Sequence, residues 1–203
     1  MRATTITIIR HGETPANVDG LWHGSTDTPL TERGRRQAER TALHVSRTRG
    51  DARAVYTSPL CRARDTAAPI AARLGVALHT EADLREYHLG EWEGATFHEL
   101  TRRHRLFERM REEADWRPGG GESPRGVAQR LGDALRALAR RHPGERVVVV
   151  THGGAFALGL GWLLDGLPTP RRVVSNGSVS DLCFAPAPQL QRLNHTLHLE
   201  ALP

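Results

Sequence analysis

Two histidines in this chain each close a run of β-branched residues and precede glycine. Arg10-His11-Gly12 ends the stretch TITIIRHG, and His152-Gly153-Gly154 ends RVVVVTHGG. An imidazole can serve near neutral pH as a nucleophile, a proton carrier or a metal ligand. A guanidinium beside it suits phosphate, whose oxygens match the planar fork of arginine. The glycines leave room for a ligand and let backbone N–H groups approach an anion at a helix start. One histidine after a strand is commonly structural. Two in equivalent settings argue that they meet, because in open α/β sheets the residues that follow the strands face the ligand crevice.

Two further stretches could supply chemistry. In YTSPLCRARDTAAP, Arg62 and Arg64 fall in the first turns of an expected helix. Arginine there opposes the helix dipole unless an anion is near. Asp65 could be that anion, or a phosphate held between Arg10 and Arg62. A cysteine phosphatase motif at Cys61 fails because position 67 is Ala. In DLREYHLGEWEG, the carboxylates Glu86, Glu91 and Glu93 are mixed with Tyr87, His88 and Trp92, a setting from which a proton donor can be drawn. His11, His152 and carboxylates could also bind zinc or iron. No close ligand spacing such as HExxH is present and two arginines repel a cation, so no metal is expected.

The elements that must position these residues follow from periodicity. TITIIR and RVVVVT are continuous apolar runs, as in strands covered on both faces of a parallel sheet, and ARAVYTS and GVALHT are further strand candidates. GVAQRLGDALRALARR places Val127, Leu131, Ala134, Leu135 and Leu138 on one helical stripe. Alternating strands and helices predict an α/β sandwich. RRVVSNGSVSDLCF suggests two short strands about an Asn176-Gly177 turn, and LQRLNHTLHL an edge strand. DWRPGGGESPRG reads as a loop within one domain spanning residues 1–203.

Composition narrows the function. The 203 residues suffice for one full core, and no stretch has the ~20 apolar residues of a membrane span. A strand begins within a few residues of the N-terminus, so a cytoplasmic location without a leader is expected. Cys61 and Cys183 form no framework and are expected to be reduced. The formal net charge is +5, yet arginines alternate with glutamates along helical stretches, as on solvated, ion-paired faces, so nucleic acid is not the expected partner. All 28 basic residues are arginine. Without lysine there is neither a Schiff base nor the lysine-containing phosphate loop of nucleotide triphosphatases.

The strings RHGET with Asn17 after it, GSTDTPLTERGRRQA, YTSPLCRARDTA, LREYHLGEWEG with GGGES, and THGG occur in the order and spacing of the histidine phosphatase superfamily, also called phosphoglycerate mutase-like. The resemblance covers roughly residues 4–165. It implies a three-layer α/β/α sandwich with a mostly parallel central sheet. It further implies that His11 is phosphorylated, that Arg10, Arg62 and His152 hold the phosphoryl group with Asn17 and Gly153 nearby, and that Glu86 donates the proton. EYHLGEWEGATFHEL is similar to the broad-specificity and ribazole-type phosphatases, and the interval before His152 is shorter than in glycolytic mutases. A metal-independent hydrolase of a small phosphorylated metabolite is therefore expected, without a cofactor and without a membrane partner, and a homodimer is compatible with it. The alternatives are a cofactor-dependent phosphoglycerate mutase and, from another class, a non-catalytic module that binds a phosphoester or RNA.

Overall fold

β-Branched residues pack well on a pleated surface, and the runs so composed form the centre of one sheet. The computed structural model describes residues 3–167 and 174–200. In chain order it contains β1 (Thr4–Arg10), α1 (Pro15–Val18), α2 (Glu32–Thr48), β2 (Ala52–Thr57), α3 (Cys61–Leu74), β3 (Leu78–Thr80), α4 (Phe97–Arg102), α5 (Leu106–Glu112), α6 (Pro124–Arg141), β4 (Arg146–Thr151), α7 (Gly153–Asp165), β5 (Val179–Phe184) and β6 (Pro188–His195). The sheet order is β3-β2-β4-β1-β5-β6. The first four strands in that order are parallel, while β5 runs antiparallel to both of its neighbours. Among the described residues no helix is long and apolar enough to cross a membrane.

Alternate residues of the central strands feed two cores. Ile6, Ile8, Val147 and Val149 pack with Val127, Leu131, Leu135 and Leu138 of α6 and with Phe156 and Leu160 of α7. On the opposite face Ile9, Val148 and Val150 pack with Ala42 and Val45 of α2 and Ala63, Ala67 and Ile70 of α3. The expected α/β/α sandwich is thus present, and burial on both faces explains the unbroken apolar runs. The connection after β1 leads to one face and α7, after β4, lies on the other, so the crevice between these adjacent strands is a topological switch point. Arg10 pairs with Thr151 in the parallel register, which brings His11 and His152 out of the sheet at the same level.

Three expectations change in detail. Val174 and Ser175 are not in a strand, and the rest of the strand expected before Asn176 lies outside the described residues. Asn176-Gly177 does form a turn, but Gly177 N–H donates to the Arg10 carbonyl at 2.9 Å, so the turn grips the end of β1 rather than closing a hairpin. The partner of β5 is β6, which ends at His195 and is followed by a 3₁₀ turn over Leu197–Leu199. GVALHT contributes only β3, a three-residue edge strand exposed throughout. The arginine-rich helix faces carry the expected ion pairs, among them Arg35 and Arg36 with Glu32, Arg103 with Glu99 and Arg109 with Glu113.

One buried ion pair among the described residues joins α2 to β5. Arg49, at the C-terminus of α2, meets Asp181 of β5 through two hydrogen bonds of 3.1 and 2.7 Å, and Thr7 Oγ1 of β1 donates to the same carboxylate at 2.8 Å. Burial raises the Asp181 carboxyl, but the bonds from Arg49 and Thr7 and the charges of Arg49 and Arg146 outweigh it and hold the pKa below its ordinary value. The pair ties α2 to the antiparallel half of the sheet, and neither partner has water to turn to. Replacing Asp181 by alanine leaves an uncompensated buried guanidinium and should cost about 3–5 kcal/mol in urea unfolding. A loss under about 1 kcal/mol would mean that the pair behaves as a surface contact.

Candidate active site

The crevice between β1 and β4 is lined by Arg10, His11, Asn17, Glu86, Gly153 and Gly154, joined by Leu21, Trp22, His23, Phe97, Phe107, Met110 and Ala157. Arg62 and His152, both without solvent exposure, stand behind this surface. The rings of His11 and His152 are 5.0 Å apart between centroids.

His11 is held by its own loop. Its Nδ1 lies 2.7 Å from the Gly12 carbonyl, which can only accept, so Nδ1 carries the proton. In the neutral ring Nε2 is then left with a lone pair. Burial lowers the His11 pKa well below its ordinary value, and the charges of Arg62 and Arg10 lower it further. Neutrality at pH 7 follows. Gly12 is required here for space: a Cβ would stand 2.5 Å from the carbonyl oxygen of Gly34, where α2 begins against this loop.

His152 is oriented by Ser58, whose Oγ lies 2.7 Å from Nε2. With the hydroxyl donating to Nε2, the ring keeps its proton on Nδ1, a buried nitrogen without a partner among the described residues. Burial, then Arg62 and then His11 lower its pKa well below the ordinary value. Ser58 follows β2 as His11 follows β1, and its N–H bonds the Val150 carbonyl, so the sheet itself sets its height.

The two arginines meet carbonyls rather than carboxylates. Arg62 donates to Thr26 O at 2.8 Å and Gly24 O at 2.6 Å, and Arg10 donates to Val174 O at 2.6 Å. Asp65, the anion that sequence reasoning offered to Arg62, is exposed, as is Arg64. Burial lowers the pKa of both guanidinium groups, with the Glu86 charge opposing it. The Nε atoms of both are buried without a partner among the described residues. Glu93 braces the loop that holds Arg62: it accepts the N–H groups of Ser25 at 2.8 Å and Thr26 at 3.2 Å.

Of the three acids raised by the sequence, Glu86 alone lines the crevice; Glu91 is exposed and Glu93 is the brace just described. Glu86 accepts N–H groups from Tyr87 at 2.8 Å, Gly154 at 3.0 Å and Ala155 at 2.6 Å. The start of α7, where glycines were expected to expose N–H groups to an external anion, therefore serves this carboxyl group instead. Gly154 is needed for that approach, since a Cβ would come within 2.9 Å of both Glu86 Oε1 and the Trp22 ring. Arg130 fixes the loop from behind, donating to Asp83 O and Arg85 O at 2.8 and 2.9 Å while paired with Glu122 of the GGGES stretch.

Sequence reasoning missed Ser58, His23 and Trp22. His23 is followed by glycine like the other two site histidines, a signal that was available. Its Nδ1 is 2.7 Å from Thr28 Oγ1, and burial with the Arg62 and Arg10 charges lowers its pKa to about 3. Burial and then Asp27 raise the Cys61 thiol to about 11, and its Sγ donates to the Thr28 carbonyl at 3.1 Å. One cluster of metal-type ligands occurs among the described residues, His44, His195 and His198, remote from the crevice. Their ligand atoms lie within 4.8 Å of one another and their rings within 30° of parallel, Arg49 and Arg192 stand close by, and the cluster packs the C-terminal turn on α2.

A family model for the histidine phosphatase superfamily (branch 1) matches residues 6–196. Phosphoglycerate mutase-like protein 4 of Arabidopsis thaliana is 40% identical over 156 residues, 74% of this chain and 67% of that protein. The glucosyl-3-phosphoglycerate phosphatase of Mycobacterium tuberculosis is 36% identical over 168 residues, 77% of this chain and 74% of that protein. Among solved structures, the phosphoserine phosphatase of Entamoeba histolytica in complex with 3-phosphoglyceric acid superposes with a TM-score of 0.86 at 30% identity, covering 97% of this chain and 99% of that one. With His11, His152, Arg10, Arg62 and Glu86 gathered at one crevice of the matching fold, the chain belongs to the histidine phosphatase superfamily, branch 1.

Proposed function

We propose that this phosphatase hydrolyses a small phosphomonoester in two steps through a phosphohistidine at His11. The observation that carries the reading is the tautomer: Nδ1–H is turned back to Gly12 O, so Nε2 is the nitrogen available to a phosphorus atom in a crevice that His11 lines. In the first step the Nε2–P bond forms as the ester P–O bond breaks, and Glu86 gives its proton to the departing alcohol oxygen. In the second, water attacks phosphorus, the Nε2–P bond breaks, and Glu86 takes the proton from water. Arg10, Arg62, His152 and Asn17 hold the phosphoryl oxygens, and such transfer asks a protein mainly for positioning and charge. The guanidinium pair supplies the charge a metal ion gives elsewhere.

The wall beyond the phosphoryl site supports a substrate class. Leu21, Trp22, Phe97, Phe107, Met110 and Ala157 face the crevice, and among the described lining residues no cation besides Arg10 is present to pair with a carboxylate. An ester whose alcohol presents an apolar face fits this wall better than phosphoserine or a phosphoglycerate.

Three outcomes test this. Substrate added in excess chelator, quenched and digested under alkaline conditions, should leave phosphate on the peptide containing His11; phosphate on His152, or on no histidine, overturns the assignment. Glu86→Gln should lose ~10²–10⁴-fold on an alkyl phosphate and less on an activated aryl phosphate in single-turnover phosphorylation, whereas equal losses would give Glu86 a binding role. Hexyl phosphate should exceed O-phosphoserine in kcat/KM by about tenfold or more; the reverse order would remove the apolar-alcohol reading.

A further inference from the structure

The turn after the residues that follow α7 carries Asn176, which lies behind the crevice rather than on it. Its Nδ2 donates to three oxygens: His11 O at 3.0 Å, Gly12 O at 3.3 Å and Asn17 Oδ1 at 3.0 Å. The first two bonds, with the Gly177 N–H on Arg10 O, seat the turn against the loop that bears the nucleophile. The third bears on chemistry. An asparagine side chain has an accepting oxygen and a donating NH₂ of nearly the same shape, and only its partners decide which way it points.

Asn17 is in contact with two groups on one side, and both are donors. Thr14 N–H donates to its Oδ1 at 3.2 Å and Asn176 Nδ2 donates to the same oxygen. Oxygen is therefore on the buried side and Nδ2 is on the side of the crevice that Asn17 lines. Turned over, the carboxamide would face a phosphoryl group with an oxygen and repel it.

We infer that Asn176 is a positioning residue for phosphoryl transfer: through its bond to Asn17 Oδ1 it sets the Asn17 carboxamide with its NH₂ toward the substrate phosphate. This rests on the reading that the phosphoryl group binds beside His11 and Asn17. Thr14 supplies one donor at the longer distance, within a capping box in which Asn17 N–H bonds Thr14 Oγ1 at 3.3 Å, and Asn176 supplies the second and shorter donor to the same oxygen. A carboxylate at position 176 would be worse than no side chain, since it accepts where the oxygen of Asn17 needs a donor.

A double-mutant cycle tests this. Asn176→Ala should lower single-turnover phosphorylation of His11 and weaken orthovanadate inhibition, each by ~10- to 100-fold, with Tm shifted by only a few degrees. In the Asn17→Ala background the same change should cost at least about fivefold less, as expected for two residues that act as a unit. Asn176→Asp should fall below Asn176→Ala in vanadate affinity. Equal losses in both backgrounds, full activity of Asn176→Ala, or Asn176→Asp at wild-type affinity would each overturn the inference. Should Asn176→Ala fail to fold, Asn176→Ser carries the same comparison. Wild-type enzyme that forms no phosphohistidine at His11 would instead remove the reading beneath, so the two failures are distinct.

Discussion

Arg62 has no solvent exposure, and neither it nor Arg10 pairs with a carboxylate among the described residues; their forks are satisfied in part by backbone carbonyls. Burying an unpaired cation costs several kcal/mol even after relaxation, and carbonyl dipoles recover only part of it. The surrounding architecture is arranged around that cost. The loop over residues 24–26 must turn two carbonyls inward, which it does because Glu93 gathers its N–H and hydroxyl groups from the other side. Val174 must present its carbonyl to Arg10, and the turn that follows it is fastened to the end of β1.

The same concentration of positive charge determines the state of the histidines. His11, His152 and His23 are all pushed toward neutrality, first by burial and then by the charges around them. On the proposed mechanism the attacking imidazole has to be neutral, so the guanidinium groups that would attract a phosphoryl dianion would also prepare His11 to attack it. Donors without a protein partner on Arg10, Arg62 and His152 complete a setting whose unmet hydrogen-bonding capacity favours an anion. Glu86 stands in this field without an ion pair among the described residues, and the start of α7 meets it with backbone N–H groups.

The relatives share this fold and differ in the compounds for which they are named, so fold alone does not set the substrate, and on the proposed reading the wall beyond the phosphoryl site is the other half of the crevice. Here that half is made by α4, α5 and the loop carrying Trp22, packed over the first core cluster. The interval between Glu86 and His152 holds these two helices and two 3₁₀ turns, followed by α6 and β4.

What the chain declared by itself was local. Unbroken apolar runs required doubly covered strands, and the histidines that close them required a crevice at their carboxyl ends; residues 10, 11, 62, 86 and 152 were legible because each sits at a fixed offset from a strand or in a motif. Other features depended on pairing across long separations. The level at which His11 meets His152 is a matter of β1–β4 register, and the exchange of Asp65 for two carbonyls as partners of Arg62 depends on a loop nearly forty residues away in sequence. The hairpin expected at Asn176-Gly177 had correct turn residues, yet the carbonyls of Arg10 and His11 claimed the N–H of Gly177. Ser58 and Asn176 carry no signal in the sequence because their roles are to orient other side chains. Hydrogen-bond direction is a property of the assembled pair, and only the tertiary structure decides which oxygen or nitrogen each donor meets.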